Sequence, residues 1–274
     1  MVDRERPLIL LTNDDGIRSP GLWAAAEALS AIGYVTVAAP REQSTGTGRS
    51  MPITSDGVIH EEQVEVGGKT WKVYAVGGTP AQAVQHAIYE LTPRKPDLVV
   101  AGINYGENLT TGISISGTVG AAMEAAMCGV PALAVSQETD SSFFYSYSKE
   151  IDFSAAAHFT AAFGRLLLEE ESLLDVHVLN VNVPLGATPE TPWRVTRLSH
   201  QRYYVPIPPR RDRLDVPGRV GYEVRLPENP EEDSDVQALR VDRVVSVTPL
   251  SLDQTSRVDP KELAQQLKRL ERRG

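Results

Sequence analysis

The stretch Pro7-Leu8-Ile9-Leu10-Leu11-Thr12-Asn13-Asp14-Asp15-Gly16 decides how the chain is read. An apolar run of strand length stops at two adjacent acids and a glycine. In open α/β sheets the carboxyl end of a buried strand is where ligands and chemistry collect. Two carboxylates packed there without a cation repel each other, so one stays protonated or both share a metal. In a regular strand Asp14 and Asp15 point to opposite faces. They converge on one ion only where the backbone bends, and Gly16 permits that bend. The competing reading is an Asx-rich turn in which Asp14 caps the following helix.

Outward from this stretch, the first 185 residues alternate between strand and helix patterns. Ser19 stands at a helix cap with Pro20 at the first helical position, and Leu22, Ala25, Ala26 and Leu29 share a face. Gly33 ends that helix, and Tyr34 to Ala39 reads as a strand followed by a polar loop, Pro40 to Ser50. Ile59 to Val66 and Thr70 to Val76 read as a hairpin across Gly67-Gly68. Thr79-Pro80-Ala81-Gln82 has the form of a capping box opening a helix that runs to Leu91. Asp97 to Ala101 is a buried strand leading into a loop, Gly102 to Gly112, and Ser116 to Cys128 is a helix of small residues. Ala132 to Val135, Asp152 to Glu170 and His177 to Val183 continue as strand, helix and strand. The pattern specifies an α/β fold with a mainly parallel sheet covered by helices on both faces. After Pro184, six prolines between Pro206 and Pro230 interrupt a segment rich in arginine and acids. That segment reads as an extended arm and hairpin, with Val241 to Val247 as a return strand. Asp259-Pro260 opens a terminal helix with Leu263, Leu267 and Leu270 on one face. Residues 1–185 are thus expected to form the core, and 186–274 an extension serving oligomerisation within one structural unit.

At 274 residues and 41% hydrophobic content, the chain can bury a substantial core. Its mean hydropathy is -0.22. No apolar run reaches the roughly 18 residues of a membrane span, and the charged start Met1 to Arg6 lacks a signal-peptide core. The single cysteine, Cys128, rules out an internal disulfide framework and suits a reducing, cytoplasmic setting. A net charge of -9 argues against duplex nucleic acid as a partner, which needs a basic surface. Small phosphorylated substrates remain compatible, because a metal reverses the local potential.

Three polar loops follow three strands of one parallel sheet and therefore share an edge. They carry Asn13, Asp14 and Asp15; then Ser44, Thr45 and Thr47; then Asn104 and Asn108. Two carboxylates, a hydroxyl and an amide carbonyl form an all-oxygen set that suits Mg²⁺ or Mn²⁺. Zinc is disfavoured, since there is no cysteine pair and the five histidines lack ligand spacing. Ser116-Gly117-Thr118 opens a helix, whose amino end is a seat for phosphate; the plainer reading is a helix cap. A hard cation beside an anion seat points to phosphoester chemistry.

These motifs resemble the SurE family of stationary-phase survival proteins, metal-dependent 5′/3′-nucleotidases. The resemblance is carried by Leu10 to Ile17 with Pro20-Gly21, Ala39-Pro40 followed by Ser44, and Gly78-Thr79-Pro80. It continues through Gly102 to Leu109, Ser116 to Val119 with Ala121 to Glu124, Leu179 to Pro184 and Val245 to Leu250. It implies a Rossmann-like core with Asp14, Asp15, Ser44 and Asn104 binding one divalent ion. Asn108 and Ser116-Gly117-Thr118 would line the phosphate pocket. It further implies hydrolysis of nucleoside 5′- and 3′-monophosphates, with short polyphosphate as a candidate substrate, and a homodimer or homotetramer built partly by an exchanged C-terminal arm. Four positions depart from the family pattern: Gln82 and Ala83 stand where an acid and often a cysteine are usual, Thr45 where glycine is usual, and Arg257 where some members have histidine.

Two rival mechanisms fit the acidic pair less well. An aspartyl-phosphate phosphatase places its two acids one residue apart, whereas Asp14 and Asp15 are adjacent. A receiver-like phosphoacceptor switch needs a further aspartate at the end of a central strand, where this chain has Ala101-Gly102-Ile103-Asn104. Glu107 and Arg202 read as candidate outer contacts of the site, with a solvated loop acid and a surface arginine as the plainer readings.

Overall fold

The computed structural model describes residues 6–143, 148, 150–169 and 174–271. In chain order the elements are β1 (Leu8–Thr12), α1 (Pro20–Leu29), β2 (Tyr34–Pro40), β3 (Ile59–Val66), β4 (Lys69–Val76), α2 (Pro80–His86) and β5 (Leu98–Tyr105). There follow α3 (Gly117–Met127), β6 (Ala132–Gln137), α4 (Ser154–Glu169), β7 (Val178–Val183), β8 (Trp193–Val195), β9 (Tyr204–Ile207), β10 (Gly221–Val224), β11 (Val245–Leu250) and α5 (Pro260–Glu271). One sheet has the order β3-β4-β2-β1-β5-β6-β7-β11-β8, and β9 and β10 form a separate hairpin. The run from β4 to β7 is parallel. β3 pairs antiparallel with β4, and β11 antiparallel with β7. The fold is therefore α/β with a mainly parallel sheet, as the sequence specifies.

β1 is buried throughout, and apolar up to Thr12, because both of its faces are covered. Ile9 and Leu11 pack with Leu22 and Leu29 of α1 and Phe159 and Phe163 of α4. Leu10 faces the other way, with Val84 of α2 and Ala121, Ala122 and Ala125 of α3. The alanines of α3 let that helix approach the sheet closely enough to bring its amino end to the end of β1. A third, smaller cluster joins Leu109 to Tyr203, Val236 and Leu239. It docks the C-terminal segment onto the loop after β5.

Several expectations shift on inspection. The supposed loop beginning at Gly102 is still strand: β5 runs to Tyr105, with a register shift against β6 between Ala101 and Asn104. The Gly102–Ile103 peptide is cis. The return strand is Val245–Leu250 rather than Val241 to Val247, because Gln237–Val241 coil into a π-helical turn that buries Ala238 and Leu239. The second helix leaves α geometry after His86 and finishes as a π turn at Leu91. Ser19 stands at the start of α1, but its hydroxyl makes no cap hydrogen bond and, among the described residues, is buried without a partner. Thr79, in contrast, closes both arms of its capping box with Gln82. Glu170 and the Leu270 side chain lie outside the described residues. Among the described residues no helix is long and apolar enough to cross a membrane.

Candidate functional site

The chain turns sharply after β1. The Asn13 amide donates to the Gly16 carbonyl and accepts from the Gly16 amide, both at 3.1 Å. Gly16 itself has a φ of 96°. The Asx-type turn therefore belongs to Asn13, and Asp14 does not cap α1. Both acids are instead turned inward, 3% and 2% exposed.

Asp14 lies at the amino end of α3, where its Oδ1 accepts a short hydrogen bond from the Thr118 hydroxyl. A Cβ on Gly117 would fall 2.7 Å from the Asp14 Cβ, so only glycine lets the helix end close over this acid. Burial raises the Asp14 carboxyl above the ordinary range, while the Thr118 hydroxyl and the amides of Gly117 and Thr118 oppose the rise. Asp15 accepts from the Tyr105 amide at 3.3 Å and from the Gln43 amide at 3.4 Å. Burial first, and the charge of Asp14 second, push its carboxyl well up. Two acids packed together in a dry site repel, which favours protonation of one or a cation shared by both.

The other oxygen donors come from the neighbouring strands. The Ser44 amide donates to the Asp14 carbonyl at 2.7 Å, fastening the β2 loop to the β1 loop. Its hydroxyl donates to the Glu42 carbonyl at 3.3 Å, which leaves its lone pairs free. Asn104, at the end of β5, spends its amide hydrogens on the Tyr105 and Gly106 carbonyls at 3.3 and 2.7 Å. The Asn104 carbonyl oxygen is thereby the atom left to ligate. β1 lies between β2 and β5, so all four residues are carried to one sheet edge. The donor set fits a hard divalent ion. Among the described residues no group of three or more His, Cys, Asp or Glu gathers as a metal centre, so such an ion would rest on two acids and neutral oxygens.

Asn108 is fixed by three neighbours. Its amide nitrogen donates to Asn182 Oδ1 at 2.7 Å, and its side chain donates to the Ser136 hydroxyl at 2.9 Å. The Asn108 carbonyl accepts from the side chains of Asn180 and Asn182, each at 3.0 Å. Ser116 is the N-cap of α3, accepting from the Val119 amide at 3.1 Å. The cap reading of Ser116 therefore holds, and its hydroxyl hydrogen remains available to a ligand. The amino end of α3 is engaged first by Asp14, so a phosphate would share that end with the carboxylate.

Glu107 is not a solvated acid. It is 4% exposed, accepts from the Tyr203 hydroxyl, and pairs with Arg240 at 3.1 Å. Arg240 also reaches Glu138 at 3.1 Å, and the Tyr204 hydroxyl donates to the Glu107 carbonyl at 2.7 Å. Burial raises the Glu107 carboxyl, while Tyr203 and Arg240 hold it down. Arg202 is exposed, as expected of a surface arginine. Sequence reasoning missed Gln43, Ser136, Asn180, Asn182 and Arg240, and the burial of Glu107. One signal was present: two asparagines alternate with apolar residues in β7, a strand covered on both faces.

A family model for survival protein SurE matches residues 9–205. A protein of Thermococcus gammatolerans named 5′-nucleotidase SurE is 43% identical over 257 residues, covering 93% of this chain and 94% of the relative. A second of that name, from Archaeoglobus fulgidus, is 42% identical over 254 residues, 92% of this chain and 94% of the relative. The crystal structure of the SurE protein from Aquifex aeolicus superposes with a TM-score of 0.72 at 33% identity, covering 97% of this chain and 100% of that one. The chain belongs to the survival protein SurE family.

Proposed function

We propose that the chain is a metal-dependent 5′-nucleotidase that hydrolyses nucleoside monophosphates, 3′ esters among them, to nucleoside and phosphate. The observation that carries this reading is the gathering of Asp14, Asp15, Ser44 and Asn104 on one sheet edge, with Thr118 of α3 bonded to Asp14. Those four residues would hold Mg²⁺ or Mn²⁺. When bound there, the ion would supply Lewis-acid charge to a phosphoryl oxygen.

Asn108 has one side-chain hydrogen committed to Ser136 and one left to donate to the phosphoryl group. Ser116 can donate its hydroxyl hydrogen there, and the α3 dipole adds positive potential beside Asp14. Held in place before the reaction, these donors stabilise charge on the equatorial oxygens as water attacks in line. Asp14 or Asp15 takes the proton from that water. The chemistry belongs to residues 1–185, and residues 186–274 serve the assembly of a homodimer or homotetramer.

The test is Asp14→Asn. It should abolish Mn²⁺-dependent phosphate release from AMP while the circular dichroism spectrum stays as in the parent. Full activity in that variant would overturn the mechanism.

A further inference from the structure

A cavity of about 310 Å³ opens beside Ser44, walled by Arg41, Asp56 and Gly77–Thr79. It lies where β2 and β4 end, one and two strands away from the acids of β1. At about 4.8 Å per strand, the far wall stands roughly 10 Å from β1. That is the reach of a nucleoside from its phosphorus. We propose that this cavity seats the sugar of the nucleotide, with the Asp56 carboxylate accepting hydrogen bonds from its hydroxyls. The assignment rests on the nucleotidase reading and specifies where that substrate's alcohol half lies.

Asp56 is built into the wall. Its Oδ1 accepts from the Val58 amide at 2.9 Å and its Oδ2 from Arg41 at 3.1 Å. The backbone around it is pinned to Gly77, through Gly57 N–H to the Gly77 carbonyl at 3.0 Å and Gly77 N–H to the Val58 carbonyl at 2.8 Å. A Cβ on Gly77 would stand 1.8 Å from Asp56 Oδ1, so the carboxylate occupies space that any other residue at 77 would fill. Each carboxylate oxygen can accept two hydrogen bonds, so each keeps one acceptor site for a sugar hydroxyl. The Val58 amide and Arg41 also hold the Asp56 carboxyl below the ordinary range.

The adjoining loop is held by Gln82. Gln82 accepts from the Ser55 hydroxyl at 2.7 Å and donates to the Pro52 carbonyl at 3.0 Å. An ionised acid could not make the second of these bonds. Glu42 also lines the cavity, so its walls carry two carboxylates against one guanidinium. A second phosphate would meet repulsion there, whereas a neutral polyhydroxyl group would not.

The experiment is steady-state kinetics on the full chain with Mn²⁺, using AMP, 2′-deoxy-AMP, p-nitrophenyl phosphate and tripolyphosphate. The parent should prefer AMP to 2′-deoxy-AMP. Asp56→Asn should lower the ratio of kcat/KM for AMP to that for p-nitrophenyl phosphate by about tenfold, chiefly through KM, and erase the preference for the 2′-hydroxyl. Gly77→Ala, which displaces the carboxylate without altering charge, should do the same. An unchanged ratio in both variants, with AMP still hydrolysed, overturns the sugar seat alone. Tripolyphosphate cleaved as well as AMP, and impaired in step with it by Asp56→Asn, overturns it in favour of a phosphate seat. A parent that cleaves p-nitrophenyl phosphate but not AMP removes the nucleotidase reading and this proposal with it.

Discussion

Asp15 is an acid that the fold holds against its preference. Burial and the charge of Asp14 raise its carboxyl above the unfolded value, so its favourable contribution is complete below the unfolded pKa and is lost as pH rises through the folded one. In EDTA at pH 7, Asp15→Asn should therefore melt several degrees above the parent, and that advantage should shrink as the pH falls. Mn²⁺ should raise the melting temperature of the parent and leave that of the variant nearly unmoved. A variant that melts no higher than the parent in EDTA would remove the electrostatic account of the pair. That the segments bearing Asp14, Asp15, Ser44 and Asn104 share one sheet edge was legible in the sequence because oxygen-rich side chains follow strand-length apolar runs; the choice of Ser44 over Thr45 and Thr47 came from the family resemblance. The burial of Glu107 was not legible. Its partners Tyr203 and Arg240 are 96 and 133 residues away, and no local pattern announces them.

The helices and parallel strands of the first 185 residues were readable because their signals are local: apolar period, caps and glycines. Thr79 illustrates this, with both arms of its box formed; Thr79→Ala should cost about 1 kcal/mol in urea unfolding. The segment after Pro184 has no such period. Its order comes from long-range contacts, among them those of buried Asp235, which accepts from the amides of Thr110 and Ser199 at 2.7 and 3.0 Å. Such ties make the segment a clamp on the loop after β5 that bears Asn108. Arg240→Ala strips Glu107 and Glu138 of a shared partner. Because Arg240 keeps some solvent contact, the loss should be about 2–3 kcal/mol, at the lower end for a broken buried pair. The measurement is a urea midpoint together with kcat on AMP, and both should fall. A reduced midpoint with full kcat would mean that the clamp leaves the loop undisturbed.

The whole molecule presents two kinds of surface. Tyr222 and Val224 on β10 and Leu263 and Leu267 on α5 are exposed apolar residues on the C-terminal extension, suited to burial against further copies of the chain. Tyr222→Lys combined with Val224→Lys should reduce the mass measured by light scattering to that of a monomer; an unchanged mass would place assembly elsewhere. The sheet itself ends unequally. β8 at one edge is only three residues long and exposes Trp193 and Val195, with Trp193 set edge-on to Phe163. β3 at the other edge is eight residues long and carries Glu61, Glu62 and Glu65. Long open edges recruit other strands unless charge repels them. The glutamates of β3 thus act as a colloidal guard, and it weakens as the solution nears the isoelectric point of about 5.1. Turbidity during mild acidification would begin along that border, and glutamines at the three positions would bring clouding on at a higher pH.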